Sequence, residues 1–228
     1  MRGADDPLRE AVAGAARRLA EAGLLVGTAG NVSLREGDRV AVTASGVVLG
    51  ACTPDDVTVV DPGGAVLEGR LRPTSELDLH LGVYAAGDPP AGPAAVVHTH
   101  APWSTAVACV LDELPVLHYQ QLLLGGPVRV APYATFGTPE LAAAVGAALE
   151  GRQAALMANH GSVAVGSTLD EAVERAELLE WLAALHHRAS ALGTPRALTE
   201  EQQAAVVEAA VRRRYGTTQA IEPQEEQS

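Results

Sequence analysis

Apolar positions in this chain recur first with a helical period and then in short runs with a strand-like one. Leu8, Val12, Ala15, Ala16 and Leu19 share one helical face, which predicts an amphipathic helix ending near Gly23. Short β-like runs follow at 31–35, 39–43, 57–60 and 65–68. Glu36-Gly37-Asp38 and Pro62-Gly63-Gly64 separate them as hairpin turns do. A helix from about Ser75 carries Leu77, Leu81, Tyr84 and Ala85, and 94–99 reads as a buried strand. Pro102 then opens a helix at a position that suits proline. The pattern continues with a strand at 128–131, a helix at 139–149 and paired strands at 154–158 and 162–165 around Asn159-His160-Gly161. Two helices, 169–192 and 199–214, close the chain. Hairpins alternate with helices without a regular βαβ rhythm, which predicts an α/β layered fold with a largely antiparallel sheet covered by helices.

A length of 228 residues with 47% hydrophobic positions suits one domain with a full-sized core. We place that domain at 1–216 and read 217–228 as an acidic, flexible tail. Asp88-Pro89-Pro90-Ala91-Gly92-Pro93 reads as a turn rather than an interdomain linker. No apolar stretch reaches the roughly 18 residues of a membrane span. Asp5 and Asp6 stand where a signal peptide would be apolar, so a cytoplasmic protein is expected. A net charge of −12 argues against a nucleic-acid surface. The basic run Arg212-Arg213-Arg214 suits a helix end or a subunit contact instead. Cys52 and Cys109 are too few for a disulfide framework and read as reduced core residues.

The chemistry lies in four residues. His98 and His100, in Val97-His98-Thr99-His100, fall on one face of a strand because side chains alternate. His160 follows the apolar run 154–157 and can come from a neighbouring strand. With Glu76 in Pro73-Thr74-Ser75-Glu76, these residues suit a divalent metal, zinc before manganese or cobalt, with a position open to substrate. The plainer alternative is buried histidines with satisfied hydrogen bonds and a carboxylate favoured by a helix N-terminus. His80, one turn beyond Glu76, could compete as a ligand but is read as structural. His186 and His187 lack a carboxylate partner and are read as surface or interface residues. Trp103 is expected to pack near the site or border it.

Three segments suit an anion. Gly27 to Ser33 is rich in small residues that allow close backbone approach. Thr43-Ala44-Ser45-Gly46 follows a strand and offers hydroxyls and amides. Thr74-Ser75 precedes a helix N-terminus. With a metal site nearby, they point to a small phosphorylated substrate held without a lysine.

In this order, Gly27-Thr28-Ala29-Gly30-Asn31-Val32-Ser33, Thr43-Ala44-Ser45-Gly46, Thr74-Ser75-Glu76, His98-Thr99-His100-Ala101-Pro102 and Asn159-His160-Gly161 resemble the motifs of the class II aldolase/adducin family. The likeness runs from about Leu8 to at least Leu185 and implies an α/β/α fold. It also implies a homotetramer with zinc at subunit interfaces. Carried over, His98, His100 and His160 hold the metal, and Glu76 is both ligand and acid/base. Gly30, Asn31, Ser45, Gly46, Thr74 and Ser75 cradle the phosphate. The family usually has two serines before the glutamate; Thr74 departs from that but keeps a hydroxyl. Tyr119, in His118-Tyr119-Gln120, resembles a tyrosine that reaches a neighbouring active site, although it could simply pack beside Leu117 and Leu122. Tyr215 resembles a second tyrosine in a mobile tail.

Relatives that epimerise generally carry aspartate at the position of Glu76, so glutamate leans toward carbon–carbon bond chemistry. The expected reaction is cleavage of a ketose 1-phosphate, such as L-fuculose 1-phosphate, to dihydroxyacetone phosphate and an aldehyde through a metal-bound enediolate. Dehydration of methylthioribulose 1-phosphate, decarboxylation of a sugar-acid phosphate and a non-catalytic adducin-like module are the alternatives.

Overall fold

Side-chain alternation on the strands decides which helices cover each face of this protein. The computed structural model describes residues 6–87 and 92–217. The strands are β1 (Asn31–Glu36), β2 (Arg39–Thr43), β3 (Val57–Val60), β4 (Val66–Glu68), β5 (Ala95–Thr99), β6 (Glu113–Leu114), β7 (Val128–Ala131), β8 (Ala154–Met157) and β9 (Gly161–Gly166). The helices are α1 (Pro7–Glu21), α2 (Leu77–Ala86), α3 (Pro102–Ala108), α4 (Pro139–Leu149), α5 (Leu169–Leu192) and α6 (Glu200–Arg213). The strands form one nine-stranded sheet in the order β4-β3-β2-β1-β5-β9-β8-β7-β6.

Along β5, Ala95 and Val97 join one buried cluster while Val96 joins the other. The first cluster packs α1, α3 and α5 on the sheet through Val12, Leu19, Val107, Val173 and Leu179. The second packs α2 and α4 on the opposite face through Leu79, Val83, Leu141 and Val145. Burial on both faces explains why the central strands read as apolar runs rather than as clean alternations. Leu179 and Leu156 are fully buried on the first face, each at a site where truncation costs about 2–5 kcal/mol.

Helix starts follow their capping residues. The Asp6 side chain accepts from Leu8 N with Pro7 at the first helical position, Thr168 caps α5, and Thr199 with Gln202 forms a capping box on α6. The sheet is mostly antiparallel, as the hairpin turns predict. One departure is the parallel pair β7–β8, which α4 joins by the crossover that parallel neighbours require. The two-residue β6 and the 3-10 turns Leu49–Ala51, Pro54–Asp56 and Tyr119–Leu124 are too short to show a period in sequence.

Cys52 is buried as expected, but Cys109 is exposed at the C-terminal end of α3, correcting its reading as a core residue. No described helix is long and apolar enough to cross a membrane. Of the tail expected over 217–228, only Thr217 is among the described residues. The acidic N-terminal pair's Asp5 and the segment 88–91 also lie outside them.

Candidate active site

Register places the polar residues of one sheet face together. Asn31 on β1 stands opposite His98 on β5, so their side chains share the face covered by α2. His100 lies just past the end of β5, two residues on, and keeps the same side. His160 sits in the loop between β8 and β9, where Asn159 takes a left-handed φ of 56°. Gly161 follows because a Cβ there would lie 2.3 Å from the Thr99 carbonyl oxygen and 3.3 Å from the His98 ring. Gly30, with φ +98°, likewise approaches within 2.9 Å of the His98 carbonyl oxygen at its would-be Cβ. These two glycines let the backbones that carry the histidines close on one another.

The three rings form a triangle with centroids 4.7, 5.0 and 4.9 Å apart. One ligand nitrogen from each ring lies within 4.8 Å of the others. Glu76 occupies the N-cap of α2 but makes no capping hydrogen bond. Its carboxylate turns inward instead, with Oε2 3.1 Å from His98 Nε2 and Oε1 3.5 Å from His160 Nε2. The plain helix-terminus reading of Glu76 therefore does not describe its side chain.

His98 Nδ1 lies 2.9 Å from the Ser162 carbonyl oxygen, which can only accept, so Nδ1 donates. In the neutral ring this leaves Nε2 bare, facing His100 Nε2 at 2.9 Å and the Glu76 carboxylate. Glu76 Oε1 is buried without a hydrogen-bond partner. The bare Nε2 of His98 and a carboxylate with an orphaned oxygen repel one another unless a proton or a cation lies between them, and imidazole with carboxylate is a donor set for a divalent transition metal. The residues fit such an ion. Burial, followed by the neighbouring His98 and His160, pushes His100 down to about 4. Burial and then His98 lower His160. Both rings are thus neutral near pH 7, the form in which imidazole can bind a metal. Burial alone would raise Glu76, but in acid, where the neighbouring rings are protonated, the contacts with His98, Asn31 and His160 outweigh it and hold the carboxyl at about 2.

The anion segments also meet. Ala44 bridges Pro73, Thr74 N donates to Thr43 O at 3.1 Å and Ser45 N donates to Arg72 O at 3.0 Å. This sets Ser45-Gly46 beside Thr74-Ser75, while Val32 N donates to Thr43 Oγ1 and ties in the segment of Gly30 and Asn31. The amides of Ala44 and Ser45 are already engaged, as is that of Thr74, so within the 43–46 segment the expected free amides do not include these two. Asn31 is buried, with its side chain between Glu76 and His80.

A cavity of about 280 Å³ opens on Glu76, His100 and His160 and is lined further by Tyr133, Ala134, Phe136 and Asn159. Sequence reasoning missed Tyr133 and Phe136. Their signal was composition: in a chain with 3% aromatic residues, the only Phe lies in an exposed segment three residues from a Tyr. Tyr119 is not among the lining residues. It is exposed, with its hydroxyl 3.0 Å from that of Tyr215. His80 is fully buried and bonded away from the histidine triangle, as its structural reading anticipates. Trp103 packs on His187 with ring centroids 4.9 Å apart, and does not line the cavity.

The Class II Aldolase and Adducin N-terminal domain family matches residues 10–187. The chain belongs to that family. Among its relatives, a 5-methylthioribulose-1-phosphate/5-deoxyribulose-1-phosphate aldolase of Rhodospirillum rubrum is 40% identical over 91% of this chain and 93% of that protein. The L-fuculose phosphate aldolase of Escherichia coli K12 is 38% identical over 81% and 85%. A solved structure of an L-fuculose 1-phosphate aldolase superposes with a TM-score of 0.85 at 33% identity, covering 92% of this chain and 99% of that one. Family membership together with the His98, His100 and His160 cluster makes this chain a class II, metal-dependent aldolase, a lyase acting on a sugar phosphate.

Proposed function

We propose that this protein is a zinc-dependent aldolase that cleaves a ketose 1-phosphate to dihydroxyacetone phosphate and a short aldehyde with an apolar end. The observation that carries this reading is the convergence of His98, His100, His160 and the inward-turned Glu76 on a cavity walled by Tyr133, Ala134 and Phe136. Zinc is favoured over manganese or cobalt by three imidazoles with a single carboxylate, and it supplies Lewis-acid polarisation of the ketose carbonyl when bound.

In this reading the hydroxyls of Ser45, Thr74 and Ser75, the Gly46 amide and the second Asn31 amide hydrogen hold the phosphate, with Gly30 allowing its approach. The C3–C4 bond breaks, its electron pair stays with the dihydroxyacetone phosphate half, and Glu76 delivers a proton to C3. The C4 hydroxyl proton leaves through Tyr119. One proton is lost and one gained, so the step needs no oxidant, reductant or water. Glu76 is ionised at rest, so it first takes up from solvent the proton that it delivers to C3, and the C4 hydroxyl returns one to solvent through Tyr119. Tyr119 stands outside this chain's own cavity, which supports its service to the site of a neighbouring subunit in a homotetramer.

The apolar wall suits a methyl or methylthio terminus. The R. rubrum relative matches more of the chain than the E. coli one, which favours 5-deoxyribulose 1-phosphate and 5-methylthioribulose 1-phosphate over L-fuculose 1-phosphate. Dihydroxyacetone phosphate release from each compound by zinc-loaded protein tests the proposal. Fastest release from the two pentulose phosphates is expected. Protein that holds one metal per chain and releases none from any of the three is not this aldolase; loss of water without cleavage would identify a dehydratase.

A further inference from the structure

The polar chain behind Glu76 has a direction that the donors and acceptors fix. Glu76 Oε2 lies 2.9 Å from Asn31 Nδ2 and, as an ionised carboxylate, only accepts, so the amide nitrogen of Asn31 faces it. Asn31 Oδ1 therefore points the other way, 2.5 Å from His80 Nε2, and that nitrogen must carry the hydrogen. Burial pushes His80 down to about 3, so its ring is neutral and Nδ1 is bare. Nδ1 accepts from Ser33 Oγ at 2.6 Å, and Ser33 Oγ in turn accepts from the Tyr84 hydroxyl at 2.6 Å. Every member is buried, where an unpaired or reversed link is costly.

We propose that His80 is a positioning residue whose Nε2–H, set by Ser33 on the opposite ring nitrogen, locks the Asn31 amide with its donor on Glu76. The consequence is an inequivalence between the two carboxylate oxygens. Oε2 is pinned by Asn31, while Oε1, without a hydrogen-bond partner, is the oxygen nearer His160. If the His80 ring turned to its other tautomer, Asn31 would have to flip and present an oxygen to the carboxylate. The chain Tyr84, Ser33, His80 and Asn31 spans α2 and β1, so it also ties the Glu76 end of α2 to the strand beside His98. The inference rests on the reading of Glu76 as the residue that binds metal and moves the proton.

The test starts with the tautomer in zinc-loaded wild-type protein, read from the ring nitrogens by ¹⁵N NMR with His80→Gln identifying its signals. A neutral His80 with a slowly exchanging Nε2–H is expected; an Nδ1–H tautomer or an imidazolium overturns the proposal. This reading does not depend on turnover, so a protein that released no dihydroxyacetone phosphate would refute the aldolase reading while leaving the tautomer to decide the lock. Kinetics then follow. His80→Leu, which has no donor, is expected to lower kcat about 10–100-fold, as loss of a group supporting a metal ligand does, with little change in KM. His80→Gln restores a donor toward Asn31 and is expected to recover most of that loss. Equal kcat in the folded Leu and Gln variants overturns the proposal. Should either variant fail to fold, the wild-type tautomer stands as the deciding result, with the His80 ring then assigned by through-bond correlation from its own backbone amide.

Discussion

The two faces of the sheet are built from alternate residues of the same strands, yet they are made of different chemistry. Under α1, α3 and α5, β1 and β5 present Val32, Ala95 and Val97 to Val12, Leu19 and Leu179. Under α2 and α4, the same strands present Asn31, Ser33, Val96 and His98 to His80, Tyr84 and Glu76. The first face is close-packed hydrocarbon at its centre and can only stabilise. The second shares that packing through Val83, Leu141 and Val145 but gives up part of its area to a hydrogen-bonded chain. That chain ends on a carboxylate whose other oxygen has no hydrogen-bond partner. A buried polar run that is satisfied everywhere except at one end marks that end as the place where something else binds.

Substitutions on each face should therefore separate activity from stability. The largest effect belongs to Glu76→Gln. Losing its proton-carrying role lowers kcat by about 10²–10⁴-fold, while the amide, of the same shape and still able to accept from Asn31, leaves the protein folded; a variant that melted early and kept its rate would invert the comparison. Next comes Leu179→Ala on the apolar face. Fully buried there, it is expected to cost about 2–5 kcal/mol in urea unfolding, with kcat and KM of the folded fraction unchanged.

Acid should act on the polar face in metal-free protein. The pKa of His80 is depressed in the fold to about 3 from an ordinary 6.5, so its contribution is full above pH 6.5 and is lost as pH falls toward 3. Stability in that window should fall by roughly 1.4 kcal/mol per pH unit. Unfolding midpoints for wild type and His80→Gln measure it, and parallel curves would remove His80 as the cause. The smallest effect is at the surface, where Asp170 pairs with Arg18 across exposed parts of α5 and α1. Asp170→Asn should change stability by less than about 1 kcal/mol, and a larger loss would mean that the apolar face depends on charge.

What was legible in the sequence follows the same division. His98 and His100 were readable because strand alternation puts them on one side, and His160 because a Gly follows it at a turn. Helix limits were readable where a cap or proline marks them, as at Pro102, Pro139 and Thr168. The lock on Glu76 was not, because it depends on the register that sets Asn31 opposite His98, a long-range pairing that no local pattern encodes. Tyr133 and Phe136 escaped for a related reason. They line the cavity from an irregular segment between β7 and α4, where no period assigns a side chain to a face. The parallel β7–β8 pair likewise arises from the way α4 packs back on the sheet, beyond what a hairpin count can show.

The most direct test of the centre measures metal content and dihydroxyacetone phosphate release together, on wild type and on His100→Ala. His100 borders the cavity and holds no backbone together, so the variant should fold with a near-normal melting temperature. The expected result is one metal per chain and turnover of a ketose 1-phosphate in wild type, with both lost in the folded variant. A His100→Ala protein that kept its metal and its rate, or a wild-type protein that kept its rate after chelation, would contradict the assignment of this site.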